Sequence, residues 1–172
     1  MTDVLVVVDM QRDFMDGALG TPEAVAIVPA VVEKVKSFPG RVIFTRDVHY
    51  DDYLQSREGK LLPIVHCVEG TPGWELIDEL QAYAGEIIDK PGFGSPLLGE
   101  RLRSLNEEEG IGTITLIGLC TDICVICNAM LLRAFLPEVP IAIDARCCAG
   151  VTAEGHTNAL KAMAACQFQI IE

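Results

Sequence analysis

The segment IGLCTDICVICNAML (residues 117–131) sets Cys120, Cys124 and Cys127 directly behind the apolar run 114–119. Three thiols this close admit three chemistries: a metal or cluster site, a redox pair, or one nucleophile with two bystanders. A cluster or zinc site needs four ligands. The C-x3-C-x2-C spacing finds its fourth only in the pair Cys147 and Cys148, beyond the next apolar run. Cys124-Val-Ile-Cys127 has the C-x-x-C form, but its apolar interior differs from polar or Gly/Pro-containing redox versions. A nucleophile needs a base and a cation within reach, and both are on offer at the ends of other apolar runs.

One such run ends in Asp9, a second is followed by TRDVH with Asp47 and His49, a third by Lys90, and a fifth ends in Asp144. Taken singly, each has a plainer structural explanation: an Asp caps a turn, a Lys is a solvated charge, and a Cys fills core. Taken together, they converge. Cys124 would stand at the start of the helix 124–135, where free backbone N–H groups and the helix dipole lower a thiol's pKa. Lys90 would add to that effect, and Asp9 could take the thiol proton and return it to a leaving amine. Asp47, His49 and His66 offer one carboxylate and two imidazoles, enough for a catalytic divalent metal site, or else a pairing that holds the long stretch 47–73. His156, at the start of the last helical segment, suits a supporting or capping role.

The elements that must position these groups alternate. Short β-branched runs at 4–9, 41–45, 86–89, 113–119, 141–144 and 167–171 are separated by helical patterns at 25–36, 74–83, 96–106, 124–135 and 154–165. This alternation predicts an α/β fold with a mostly parallel six-stranded sheet between two helical layers, three-layer α/β/α. In such sheets ligands bind beyond the carboxyl ends of the strands, where the candidate residues fall. The 172 residues, half of them hydrophobic, suit one domain over 1–172. A formal charge of −12 repels phosphate backbones and excludes nucleic acid as an expected partner. No apolar run approaches the ~18 residues of a membrane span, so no membrane partner is expected. Seven cysteines, an odd number in a chain too large to need disulfide staples, suggest free thiols and a cytoplasmic location.

Six ordered motifs then carry a resemblance: VLVVVDMQRDF (4–14), FTRDVH (44–49), PIVHCVEGTPGW (63–74), IIDKPGFGSP (87–96), LIGLCTDICV (116–125) and DARCCAG (144–150). The chain resembles, over nearly its whole length, the isochorismatase-like cysteine hydrolases, the superfamily that includes nicotinamidase/pyrazinamidase. The resemblance implies a Rossmann-like sheet, a homo-oligomer, and a small-molecule amide substrate hydrolysed through a thioester, with no organic cofactor. It implies Asp9 as general base and acid, Lys90 as the cation of the triad and Cys124 as nucleophile. The oxyanion would be held by the backbone N–H groups of Cys120 and Cys124, after a cis Leu119–Cys120 peptide. Asp47, His49 and His66 match the positions that bind zinc or a similar ion, and Phe14 matches an apolar wall of the substrate pocket.

The chain also departs from the nicotinamidase pattern. Cys120 stands where Ala is usual, and Pro63 where a Trp often precedes the His-Cys pair. DVHYDDYLQSREGK (47–60) lacks the Trp, the Pro and a further His that can assist the metal site. Nicotinamide itself is therefore one candidate among several small amides. True isochorismatase vinyl-ether hydrolysis is disfavoured, because members with that activity generally lack the cysteine that Cys124 supplies. A non-catalytic scaffold is opposed by the presence of Asp9, Lys90 and Cys124 together.

Overall fold

In the computed structural model, which describes residues 1–172, β1 (Thr2–Val8) lies at the heart of a six-stranded, all-parallel sheet. Val4 through Val8 are fully buried, as expected of a strand covered on both faces. Val4, Val6 and Val8 point into one core and Leu5 and Val7 into the other, so the sheet separates two apolar layers. Full burial of each such side chain contributes about 1.5–3 kcal/mol. The other strands are β2 (Arg41–Asp47), β3 (Glu86–Lys90), β4 (Ile111–Leu119), β5 (Ile141–Ala149) and β6 (Gln169–Ile171), in the order β3-β2-β1-β4-β5-β6.

The helices divide as a three-layer α/β/α fold requires. On one face pack α4 (Pro96–Glu109), α5 (Ile126–Phe135) and α6 (Ala153–Ala165), through Leu98, Leu102, Leu132 and Met163 among others. On the other lie α1 (Pro22–Ser37) and the single turn α3 (Asp78–Gln81), through Val31, Val35 and Leu80. Side-chain caps explain why the long helices begin where they do. Thr21 accepts a hydrogen bond from Ala24 N–H at 3.1 Å, and Ser95 accepts one from Leu98 N–H at 3.1 Å, each just ahead of a proline at the first helical position.

Three expectations from the sequence need correction. The helix expected over 74–83 shrinks to Asp78–Gln81, because Pro72–Trp74 forms a tight turn and the following Leu76 bridges to Gln11. The run 141–144 continues to Ala149, with a register shift against β4 between Leu116 and Gly118. Asp144 is therefore inside a strand and away from the sheet's carboxyl edge. Its buried carboxylate is held by Lys34 and Arg146, each at 3.1 Å. Finally, the helix expected from Cys124 begins at Ile126, after a π-helical turn over Thr121–Val125.

The remaining long segment between β2 and α3 carries the short helix α2 (Arg57–Leu61), capped by Ser56, and two 3-10 turns at Tyr53–Gln55 and Pro72–Trp74. The chain crosses over in opposite directions on either side of β1, whose neighbours are β2 and β4. The crevice this opens at the carboxyl ends of β1, β2, β3 and β4 is where an open α/β sheet binds ligands.

Candidate active site

Asp9 follows the last residue of β1 and takes a left-handed backbone conformation, φ +50°, which turns the chain off the sheet edge. Its N–H still bonds to the Thr45 carbonyl at 3.1 Å, and its Oδ1 accepts the Thr45 hydroxyl at 2.7 Å. The other oxygen, Oδ2, lies 2.6 Å from the Nζ of Lys90, the last residue of β3. Lys90 is fully buried, and its Nζ also reaches the Gly92 carbonyl at 3.2 Å, Asp47 Oδ1 at 3.4 Å and Cys124 Sγ at 3.4 Å. A carboxylate, an ammonium and a thiol from three separate elements thus meet in one buried cluster.

Cys124 sits inside the π-helical turn, whose start follows the cis Leu119–Cys120 peptide. The Cys120 carbonyl accepts N–H groups from both Ile123 and Val125. Gly118 permits the approach to this turn: at φ +111° an added Cβ would run into the Val8 carbonyl. His156 of α6 bonds through Nδ1 to the Thr121 hydroxyl at 2.8 Å, the supporting role its position suggested. Burial pushes the Cys124 thiol well above its usual range, with the Asp9 carboxylate adding to the rise and Lys90 opposing it. This corrects the lowering expected from a helix N-terminus: the thiol is 6% exposed and lies within the turn, not on an open first helical turn. Burial also raises Asp9 against the opposing Lys90 charge. It would lower Lys90, but Asp9, Cys124 and Asp47 reverse the sign and keep the amine protonated.

Beside this cluster stands a second one. The carboxylates of Asp47 and Glu58 and the imidazoles of His49 and His66 bring their ligand atoms within 4.8 Å of one another. Asp47 Oδ2 faces His49 Nε2 at 3.1 Å and His66 Nε2 at 3.6 Å, and Glu58 Oε1 faces the same two nitrogens at 3.6 and 3.7 Å. The Nδ1 of His66 is 2.7 Å from the Ile64 carbonyl, which can only accept, so Nδ1 donates and, in the neutral ring, Nε2 is left to bind a cation. His49 Nε2 is buried and has no aligned hydrogen-bond partner. Burial alone would raise Asp47, yet the two imidazoles and Lys90 hold it well below the usual carboxylate range. Two carboxylates, two imidazoles and an orphaned nitrogen fit a divalent cation.

The Tyr53 ring packs on His49 and His66, with centroids 4.5 and 5.1 Å away, and its hydroxyl donates to the Leu62 carbonyl at 2.8 Å. Between the clusters opens a pocket of about 530 Å³ whose walls include Phe14, Phe93, Cys120 and Ile123. Its size falls in the range of small-molecule sites.

All eight site residues expected from the sequence are therefore together, and Asp144 is the one strand-end acid that is elsewhere. Glu58 was missed: an acid in the first turn of a capped helix looks like an ordinary partner for the helix dipole. The loss of the usual extra His was the available signal, since Glu58 faces both remaining imidazoles. The four-cysteine reading fails, because Cys147 and Cys148 point into opposite cores and the side chains close enough together to hold an ion are Asp47, His49, Glu58 and His66, with no cysteine among them.

Fold and site together define a class. The isochorismatase domain model matches residues 3–172, and the chain belongs to that family. The nicotinamidase/pyrazinamidase from Bacillus subtilis superposes with a TM-score of 0.84 at 29% identity, covering all of both chains. The pyrazinamidase of Pyrococcus horikoshii, solved in complex with zinc, gives 0.84 at 29% identity over 100% of this chain and 99% of its own. The N-carbamoylsarcosine amidase from Thermoplasma acidophilum gives 0.77 at 29% identity, over 100% and 96%. The protein is a hydrolase of amide C–N bonds, an amidohydrolase of the isochorismatase family.

Proposed function

We propose that this amidohydrolase works through Cys124 on a small carboxamide or related C–N substrate. The observation that carries this reading is the contact of Lys90 with both Asp9 and Cys124, the latter of which lines the pocket. Because burial raises the thiol's pKa, its proton passes to Asp9 as Sγ attacks the amide carbonyl, instead of being lost beforehand. The tetrahedral intermediate's oxygen is held by the backbone N–H groups of Cys120 and Cys124. Asp9 then returns the proton to the leaving nitrogen, the C–N bond breaks, and a thioester remains. Water adds to that thioester, giving a proton to Asp9. Collapse expels the sulfur, which is reprotonated, and releases the carboxylic acid. Lys90 stays charged throughout and keeps Asp9 in place.

Asp47, His49, Glu58 and His66 would hold a divalent ion, zinc being the best match to the donor set and to the ion bound by the Pyrococcus relative. Such an ion supplies a Lewis-acid anchor that orients the substrate. The phenyl face of Phe14, whose ring lies 5.9 Å from His66, forms the apolar side of the same pocket. A single domain over 1–172, a homo-oligomer and a cytoplasmic setting complete the proposal; the free cysteines support a reducing compartment. No helix is long and apolar enough to cross a membrane.

The test is ammonia release from nicotinamide, pyrazinamide, N-carbamoylsarcosine and ureidoacrylate by the wild-type protein beside Cys124→Ala. Release that depends on Cys124 supports the mechanism and names the substrate branch. Release that persists in the purified variant refutes it.

A further inference from the structure

The segment that follows β1 does more than deliver Asp9. Gln11, two residues on, is fully buried, and its side-chain amide makes three hydrogen bonds. Nε2 donates to the Asp47 carbonyl at 2.8 Å and to the Trp74 carbonyl at 2.9 Å, while Oε1 accepts the Asp47 N–H at 2.7 Å. The reason lies in the sheet. β1 and β2 pair in register up to Val8 opposite Thr45, and the chain then turns away at Asp9. Asp47, at the end of β2, has no β1 backbone left to pair with, and the Gln11 amide supplies the missing donor and acceptor.

Asp13, two residues further, repeats the device on the next loop. Its Oδ2 accepts the Cys67 N–H at 2.7 Å, where Cys67 holds a left-handed φ of +46° directly after His66. Residues 9, 11 and 13 thus reach Lys90, Asp47 and the peptide after His66 in turn. Asp47 itself is shared between the two clusters: Oδ1 faces Lys90 at 3.4 Å and Oδ2 faces His49 at 3.1 Å.

We propose that Gln11 and Asp13 are positioning residues that act through Asp47 and His66, registering the cation-ligand group against Asp9, Lys90 and Cys124. The cation half of this inference rests on the metal reading above; the Asp47–Lys90 half does not. Neither residue touches the reacting atoms, so both are tested by readouts that a general packing role would leave unmoved.

Zinc titration calorimetry on chelator-treated protein compares wild type with Gln11→Met, which keeps the shape but no polar group, and with Asp13→Ala and Asp13→Asn. Loss of a group that orients metal ligands weakens affinity about 10–100-fold, the effect expected for Gln11→Met and Asp13→Ala. Asp13→Asn retains an acceptor for the Cys67 N–H, so it restores affinity to near the wild-type value. A second readout needs no metal. Iodoacetamide alkylation of Cys124 at pH 7.5 in the chelator-treated protein, with Cys124→Ala as the blank, should be several-fold faster in Gln11→Met. There the Asp47 main chain loses its anchor, its carboxylate is no longer held 3.4 Å from Lys90, and it offsets less of the ammonium charge that favours the thiolate. Wild-type protein that binds no zinc sinks the metal reading, and alkylation then decides the role of Gln11. Folded Gln11→Met with unchanged alkylation, or folded Asp13→Ala with unchanged zinc affinity, overturns the inference. If Gln11→Met does not fold, the Asp13 pair decides it, since that side chain is only half-buried.

Discussion

The two clusters that flank the pocket are built by different means. Asp9 and Lys90 stand at the ends of β1 and β3, and Cys124 lies in the turn that closes β4, so the sheet itself sets their separations. In the second cluster only Asp47 is a strand residue. His49 follows it by two positions, Glu58 rides on the five-residue α2, and His66 lies in irregular chain held at Ile64 and Cys67. Groups fixed by parallel strands inherit the rigidity of a ladder buried on both faces, whereas groups fixed by a loop depend on a few side-chain bonds. The first cluster should therefore tolerate almost no chemical change, and the second should respond in graded steps.

The largest effect tests the strand-built cluster. Cys124→Ala should lower kcat/KM by at least ~10⁴-fold with an unchanged circular dichroism spectrum, as removal of a nucleophile does. Measurable turnover at a tenth of the wild-type rate would erase the distinction between the clusters. Asp9→Asn should cost about 10²–10⁴-fold through loss of proton transfer. It should also reduce stability by about 3–5 kcal/mol in urea unfolding, because the Lys90 charge is left buried without its partner. In wild type the acid limb of kcat/KM should fall above the ordinary carboxylate value of about 4, since burial raises Asp9 and activity needs its ionised form. A limb at or below that value would mean that the Lys90 charge outweighs burial at Asp9.

Graded responses belong to the loop-built cluster. His66→Ala should reduce zinc retention in elemental analysis ~100-fold, and Glu58→Gln about tenfold, with Cys124 alkylation preserved in both. Equal and total loss in both variants would mean that the loop group is as rigid as the strand group.

The smallest effect lies outside the pocket. Burial would raise Asp144, but Arg146 and Lys34 hold it below its usual value. A carboxylate lowered in the folded state stabilises above its unfolded pKa of about 4, and the contribution disappears as pH falls through the folded value. Asp144→Asn should therefore cost about 1 kcal/mol at pH 7 and progressively less below pH 4. A constant difference down to pH 2 would assign the effect to packing instead of charge.

What was legible in the sequence follows the same division. Val4 through Val8 announce a strand buried on both faces, and a residue immediately after such a run must lie at the sheet edge, so Asp9 and Lys90 could be placed. Loop positions carry no periodicity to read, which is why nothing singled out Glu58. Asp144 misled for a different reason: its charge looks like a strand terminus, but Lys34 and Arg146 neutralise it and the strand runs on. The π-helical turn was invisible because residue spacing does not distinguish a widened turn from a regular first turn.

The strand order β3-β2-β1-β4-β5-β6 also has a kinetic side. Every parallel neighbour pair must be joined through a crossover, so nearly all ladder contacts link residues far apart in sequence, and such topologies fold slowly. Asp9, Lys90 and Cys124 cannot meet until β1, β2, β3 and β4 have docked. No fragment lacking one of these strands could recover hydrolysis, and during refolding the return of activity should trail the return of helical signal.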